Sequence, residues 1–216
     1  MRDHQQGSQR AIKLTILGVL LALGVVVGLF VLTVDADFDS PNKSFADLGG
    51  DFTLQSADGA VSLSDYCGKV VVMYFGFLSC PEVCPNSMGV ISAALNRLSE
   101  QELASTQAML VSVDPARDSV DALADHARFY HPKVIGLTGS TEDIDQVTRQ
   151  YGAYYNISDI EAQREDYGVE HSSRYYVIDQ RGELIAAMRH STTPNELYTQ
   201  LSLSLIHISE PTRLDH

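Results

Sequence analysis

The chain has 216 residues, enough for one core domain with an appendage or two small domains. Hydrophobic residues make up 44% and charged residues 20%, as in ordinary globular proteins and unlike disordered chains. Lys and Arg number 15 against 28 Asp and Glu, a formal net charge of -13, which argues against nucleic acid as a partner; three cysteines are too few for a disulfide scaffold.

The charge is uneven along the chain. Arg2, Arg10 and Lys13 lie near the start, whereas from Asp35 onward there are 12 basic and 27 acidic residues. Between these regions, residues 14–34 (LTILGVLLALGVVVGLFVLTV) carry no charge. About 20 apolar residues suffice to cross the hydrocarbon core, so the run is read as a single transmembrane helix. Secretory signal cores are usually shorter, no small-x-small cleavage site follows, and no cysteine is placed to carry a lipid. Arg10 and Lys13 precede the span and Asp35, Asp37 and Asp39 follow it. The basic end therefore stays cytoplasmic, which predicts residues 1–13 inside and everything after residue 34 on the periplasmic side of the inner membrane.

Residues 35–44 (DADFDSPNKS) read as a polar linker. Two short apolar stretches, 52–54 and 61–63, flank the turn signal Ala57-Asp58-Gly59 and predict a hairpin. Residues 69–77 (KVVVMYFGF) form a β-branched and aromatic run, expected of a strand buried on both faces. From Pro85 to about residue 100, Met88, Ile91, Leu95 and Leu98 recur at helical spacing, with Pro85 suited to a first turn. A second buried strand is predicted at 108–113, then a helix to about Tyr130 capped by Asp118. A strand at 134–137 and a helix from Thr141 follow. Residues 174–179 and 183–188 flank Gln180-Arg181-Gly182 as a second hairpin, and Pro194 starts a last helix. The order predicts an α/β domain around a mixed central sheet flanked by helices. Residues 205–216 (LIHISEPTRLDH) break the last helical pattern without a cap and resemble the translation of a sequencing adapter, so they are set aside as non-native.

The chemistry concentrates in Cys80-Pro81-Glu82-Val83-Cys84-Pro85, between the strand at 69–77 and the helix beginning near Pro85. The carboxyl ends of parallel strands are where α/β sheets build sites. A helix N-terminus there is expected to lower thiol pKa and supply thiolate, a nucleophile for disulfide exchange and a soft ligand for copper. Two cysteines four apart can either close on each other or chelate one metal. A disulfide closing so short a loop stabilises little. Structural zinc needs four ligands, and no second cysteine pair exists. Cys67 lies at the other end of the strand, some 25 Å away at about 3.3 Å per residue, and is a bystander. A third metal ligand would have to be one of the seven histidines. His4, His207 and His216 fall outside the domain; His126 and His131 suit packing or surface roles; His190 is ambiguous. His171, in Val169-Glu170-His171-Ser172-Ser173, stands immediately before the strand at 174–179.

The segments GKVVVMYFGFLSCPEVCPNSM (68–88), SVDPARDS (112–119), FYHPKVIGLTGS (129–140) and DYGVEHSSRYYVIDQRGEL (166–184) closely resemble the Sco/SenC family. The resemblance spans most of residues 45–200. It implies a thioredoxin-like copper-binding domain over 45–204, with copper, Cu(I) or Cu(II), held by Cys80, Cys84 and His171. The implied role is that of a copper metallochaperone assisting assembly of the dinuclear copper centre of cytochrome c oxidase subunit II. Asp114 and Asp118 match an acidic element near the site. Leu78, where a small polar residue is common, and the extra Cys67 depart from the family pattern.

A thiol–disulfide oxidoreductase, with Cys80 and Cys84 as catalytic pair reducing cysteines of the same oxidase subunit, is the alternative. Such catalysts usually carry two residues between the cysteines, and this chain has three. A peroxiredoxin is disfavoured, because the positions seven and three before Cys80 are Met73 and Phe77.

Overall fold

The computed structural model describes residues 45–157 and 168–206, together with Gly24. Apart from Gly24, the expected membrane segment 14–34 and the linker 35–44 lie outside the described residues. Among those described, no helix is long and apolar enough to cross a membrane.

A hairpin of β1 (Thr53–Ser56) and β2 (Gly59–Ser62) opens the domain and pairs in register, Thr53 against Ser62. β3 (Val70–Gly76) leads into helix α1 (Val83–Leu95), a short helix α2 (Glu100–Ala104) and β4 (Thr106–Ser112). Helix α3 (Val120–Tyr130), β5 (Val134–Leu137) and helix α4 (Thr141–Gln150) continue the alternation. Then come β6 (Tyr155–Ile157), β7 (Val169–His171), β8 (Arg174–Ile178), β9 (Leu184–Arg189) and helix α5 (Pro194–Ile206).

The central sheet has the order β5-β4-β3-β8-β9. β3, β4 and β5 run parallel, while β8 is antiparallel to both β3 and β9. Every residue of β3 and β4 is buried, as expected of central strands covered on both faces. Helix α1 buries Cys84, Ser87, Met88, Ile91, Ala94 and Leu95, one stripe at helical spacing. Helix α3 approaches β5 at Gly136, where an added Cβ would stand 2.6 Å from the carbonyl oxygen of Leu123. At the far edge, the β8–β9 ladder shifts register between Val177 and Ile178, leaving Ile185 as an extra, exposed residue on β9.

Several boundaries differ from those expected. The helix predicted from Pro85 to about residue 100 stops at Leu95, and Ser99 caps a separate short helix with Glu102 in a reciprocal capping box. Asp118 does not cap α3; Ser119 does, its hydroxyl accepting from the Ala122 N–H. Helix α5 runs to Ile206, two residues into the stretch set aside at 205, and Leu205 packs on the core. Residues 207–216 lie outside the described residues. The β6–β7 ladder was not expected, and it places His171 as the last residue of a strand rather than in a loop.

Candidate metal centre

β3 ends at Gly76, and residues 77–82 turn the chain into α1, so Cys80 lies in the turn and Cys84 at the second position of the helix. The Cys84 N–H donates to Cys80 Sγ at 3.3 Å, which seats one sulfur over an otherwise unsatisfied first-turn donor. Cys84 in turn lies against the sheet, where Gly76 makes room for it. A Cβ on Gly76 would meet Cys84 Sγ at 3.1 Å, Tyr74 Cε1 at 3.0 Å and Leu110 Cδ1 at 3.3 Å. Both cysteines are buried free thiols, so no disulfide joins them here.

His171 arrives from β7, whose partner β6 pairs Tyr155 with it. Its ring stands edge-on between two aromatics, with centroids 6.0 Å from Tyr74 and 5.6 Å from Phe77 at nearly perpendicular planes. Nδ1 lies 3.3 Å from the Ser172 carbonyl oxygen, which can only accept. A proton on Nδ1 would satisfy that carbonyl and leave Nε2, 3.4 Å from Cys84 Sγ, to present its lone pair. Burial pushes the His171 pKa down, which keeps the imidazole neutral and available as a ligand.

The sequence led us to expect a thiol pKa lowered by the helix N-terminus. Cys84 behaves oppositely: burial, followed by a hydrogen bond with Cys80, pushes it up to about 12. Removing the thiol from water outweighs the stabilisation available at the first turn. The Tyr74 hydroxyl, 3.9 Å from Cys84 Sγ, is also shifted up by burial. An ion entering this site would have to displace the Cys84 proton.

The three expected ligands are thus brought together: Cys80 Sγ, Cys84 Sγ and an imidazole nitrogen of His171 lie within 4.8 Å of one another. A trigonal ion with metal–sulfur bonds of about 2.3 Å needs its donors roughly 4 Å apart, so the triad need close by less than about 1 Å. No fourth Cys, His, Asp or Glu among the described residues joins the group. The donor set of two sulfurs and one imidazole is soft and has three members, which suits copper better than a four-ligand zinc cage.

The other singled-out residues sit apart from the triad. Asp118 is buried beneath it: its Oδ2 accepts from the Leu78 N–H at 3.0 Å and from the Ser112 hydroxyl at 2.6 Å, pinning the turn two residues before Cys80. Asp114 is fully buried and pairs with Arg117. Leu78, the departure from the family pattern, contributes only that backbone donor and a partly buried side chain on the core. His131 is buried and its Nδ1 accepts from the Lys133 N–H, a structural role. Cys67 is exposed after a 3-10 turn, ahead of β3. Gly76, Tyr74 and Phe77 were not singled out from the sequence. A lone glycine inside an otherwise bulky strand is the signal that could have found the first of them.

Comparison with known proteins supports the same assignment. The SCO1/SenC family pattern matches residues 40–205. Protein SCO1 homolog 1 of Arabidopsis thaliana, a mitochondrial protein, is 37% identical over 141 residues, covering 65% of this chain and 42% of the relative. An SCO2-like protein of Rickettsia conorii is 27% identical over 197 residues, covering 86% and 96%. The chain spans about half the length of the plant, yeast and bovine relatives it matches. Among solved structures, Arabidopsis thaliana ScoI with copper bound superposes with a TM-score of 0.66 at 32% identity, over 73% of this chain and 98% of that one. Yeast Sco1 with copper bound gives 0.68 at 28% identity, over 77% and 92%.

Proposed function

This chain belongs to the SCO1/SenC family, and we propose that it is a membrane-anchored copper metallochaperone that assists assembly of the dinuclear copper centre of cytochrome c oxidase subunit II. Cys80, Cys84 and His171 bind the ion, which is cargo and not a resident cofactor. The observation that carries this reading is the convergence of two thiols and a neutral imidazole, drawn from three separate points of the fold, to within 4.8 Å. Two structures similar to this chain, those of Arabidopsis ScoI and yeast Sco1, have copper bound. Residues 14–34 anchor the chain in the inner membrane, 1–13 stay cytoplasmic, and 35–44 link the anchor to a periplasmic domain over 45–204.

The residues divide the work. Tyr74 and Phe77 fix the ring plane of His171, and the Ser172 carbonyl fixes its tautomer. Gly76 sets the depth of Cys84. With three donors among the described residues, the site would leave a coordination position for a ligand from the receiving protein.

Metal analysis of the reduced chain tests the proposal. About one copper per chain is expected, with a sulfur-to-copper charge-transfer band. Cys84→Ser should lose the ion, and His171→Ala should bind it at least about tenfold more weakly. Unchanged stoichiometry in both variants would overturn the assignment.

The free, adjacent thiols favour a second reading, a dithiol reductant that gives up two electrons and two protons as Cys80 and Cys84 close to a disulfide. The three residues between the cysteines, where such catalysts usually carry two, weigh against it as the primary role. Rapid reduction of a protein disulfide without copper would favour it.

A further inference from the structure

Arg174 and Arg189 are direct register partners on β8 and β9. Their side chains therefore leave the sheet on the same face, with Cβ atoms about 5 Å apart. Both are exposed, and among the described residues neither forms an ion pair. Like charges directly opposite each other destabilise a ladder, so this pairing calls for a counter-charge from elsewhere.

The two arginines, with Ser172, Ser173, His190 and Ser191, line a cavity of about 460 Å³. Among the described residues the lining contains no carboxylate, and every one of its side chains can donate a hydrogen bond. It belongs to a region that, from Asp35 onward, holds 12 basic and 27 acidic residues. The cavity is therefore a local reversal of the prevailing charge. It also adjoins the metal centre: only Ser172 and Ser173 separate His171 from Arg174, which limits the two Cα atoms to about 11 Å. The Tyr154 backbone exchanges hydrogen bonds with Ser172, which ties this lining residue to the strand pair that carries His171.

We propose that this cavity docks a carboxylate-bearing segment of the protein that exchanges metal with Cys80, Cys84 and His171. The choice of partner rests on the copper reading above; the binding chemistry does not. Two guanidinium forks held side by side match a segment presenting two or more carboxylates, each able to accept bidentately. A single small anion meets two solvated, screened groups and gains little. Elsewhere the acidic surface repels such a segment, so one attractive patch beside the metal also sets the orientation of encounter.

The test is fluorescence anisotropy of a labelled hexaglutamate peptide against the full chain in detergent, with inorganic phosphate as competitor. Saturable binding that weakens with salt is expected, falling at least about fivefold in R174Q/R189Q and by a smaller factor in R174K/R189K, which keeps both charges but loses the forks. Arg128→Gln, which removes an exposed arginine already paired with Asp125, should leave binding unchanged. Equal binding by R174Q/R189Q overturns the proposal, as does displacement by phosphate at concentrations matching the peptide. Copper binding is measured on the same samples. Peptide binding that persists in a chain unable to bind copper supports the acidic-ligand site while overturning the metal reading.

Discussion

Gly76 shows how much one missing methyl group can decide. The Cys84 sulfur occupies the space that a side chain at the end of β3 would fill, with Tyr74 and Leu110 closing the other sides. Gly76→Ala forces sulfur or ring to move by a few tenths of an ångström and spoils the match of the three donors. Copper affinity should fall at least about tenfold, read by competition with a Cu(I) chelator, while the fold survives; an unchanged affinity would contradict this account. Asp118 supports the site from below. Burial raises its pKa, partly offset by the hydrogen bonds from Ser112 and the Leu78 backbone. A carboxyl with a raised folded-state pKa contributes most below its unfolded value, near 3.9, and that contribution is lost as pH rises through the raised value. Asp118→Asn keeps an acceptor oxygen without the charge, so its stability relative to the parent should improve from pH 4 to pH 7 in urea unfolding. Asp118→Ala strands two buried donors and should cost about 1–3 kcal/mol at any pH in that range. A parent–Asn difference that stays flat with pH would refute the assignment of this burial cost.

At the level of elements, the strand-to-helix junction does most of the positioning. β3 was legible because seven consecutive buried residues leave an unbroken apolar run, and the two cysteines were legible because their turn follows it directly. His171 could be singled out but not placed: the β6–β7 ladder that carries it has three-residue strands, too short to show a period. The cap of α3 was misassigned because Asp118 and Ser119 are both good caps, and only the tertiary fold shows the carboxylate turned inward to Leu78. The high Cys84 pKa was hidden for the same reason, since burial is not a property of local sequence. Helix α3 and β5 offer a check on packing away from the metal. At Gly136 a Cβ would overlap the Leu123 carbonyl, and that backbone cannot yield without shifting the helix. Gly136→Ala should lower stability by about 1–3 kcal/mol in denaturant unfolding, leaving copper stoichiometry intact in the folded fraction. A loss below a few tenths would mean that the helix rides on the sheet more loosely than its contacts imply.

For the whole molecule, the proposed anchor and the acidic domain make separable demands. The full chain should remain with membranes through alkaline extraction, whereas a chain lacking residues 1–44 should be released in soluble form and still bind copper. Membrane retention of the shortened chain would overturn the assignment of residues 14–34 as the anchor. The central sheet has one further property at its outer border. β5, at one end, is bridged by Gln55 of the first hairpin to Thr138, whereas β9 closes the order at the other. A border strand with unused backbone groups is a template on which a second chain can grow a ladder. Here the extra residue Ile185 bends that template and Arg189 ends it with a charge, so neighbouring copies find no straight run to extend. The domain should accordingly tolerate crowding without polymerising through its sheet.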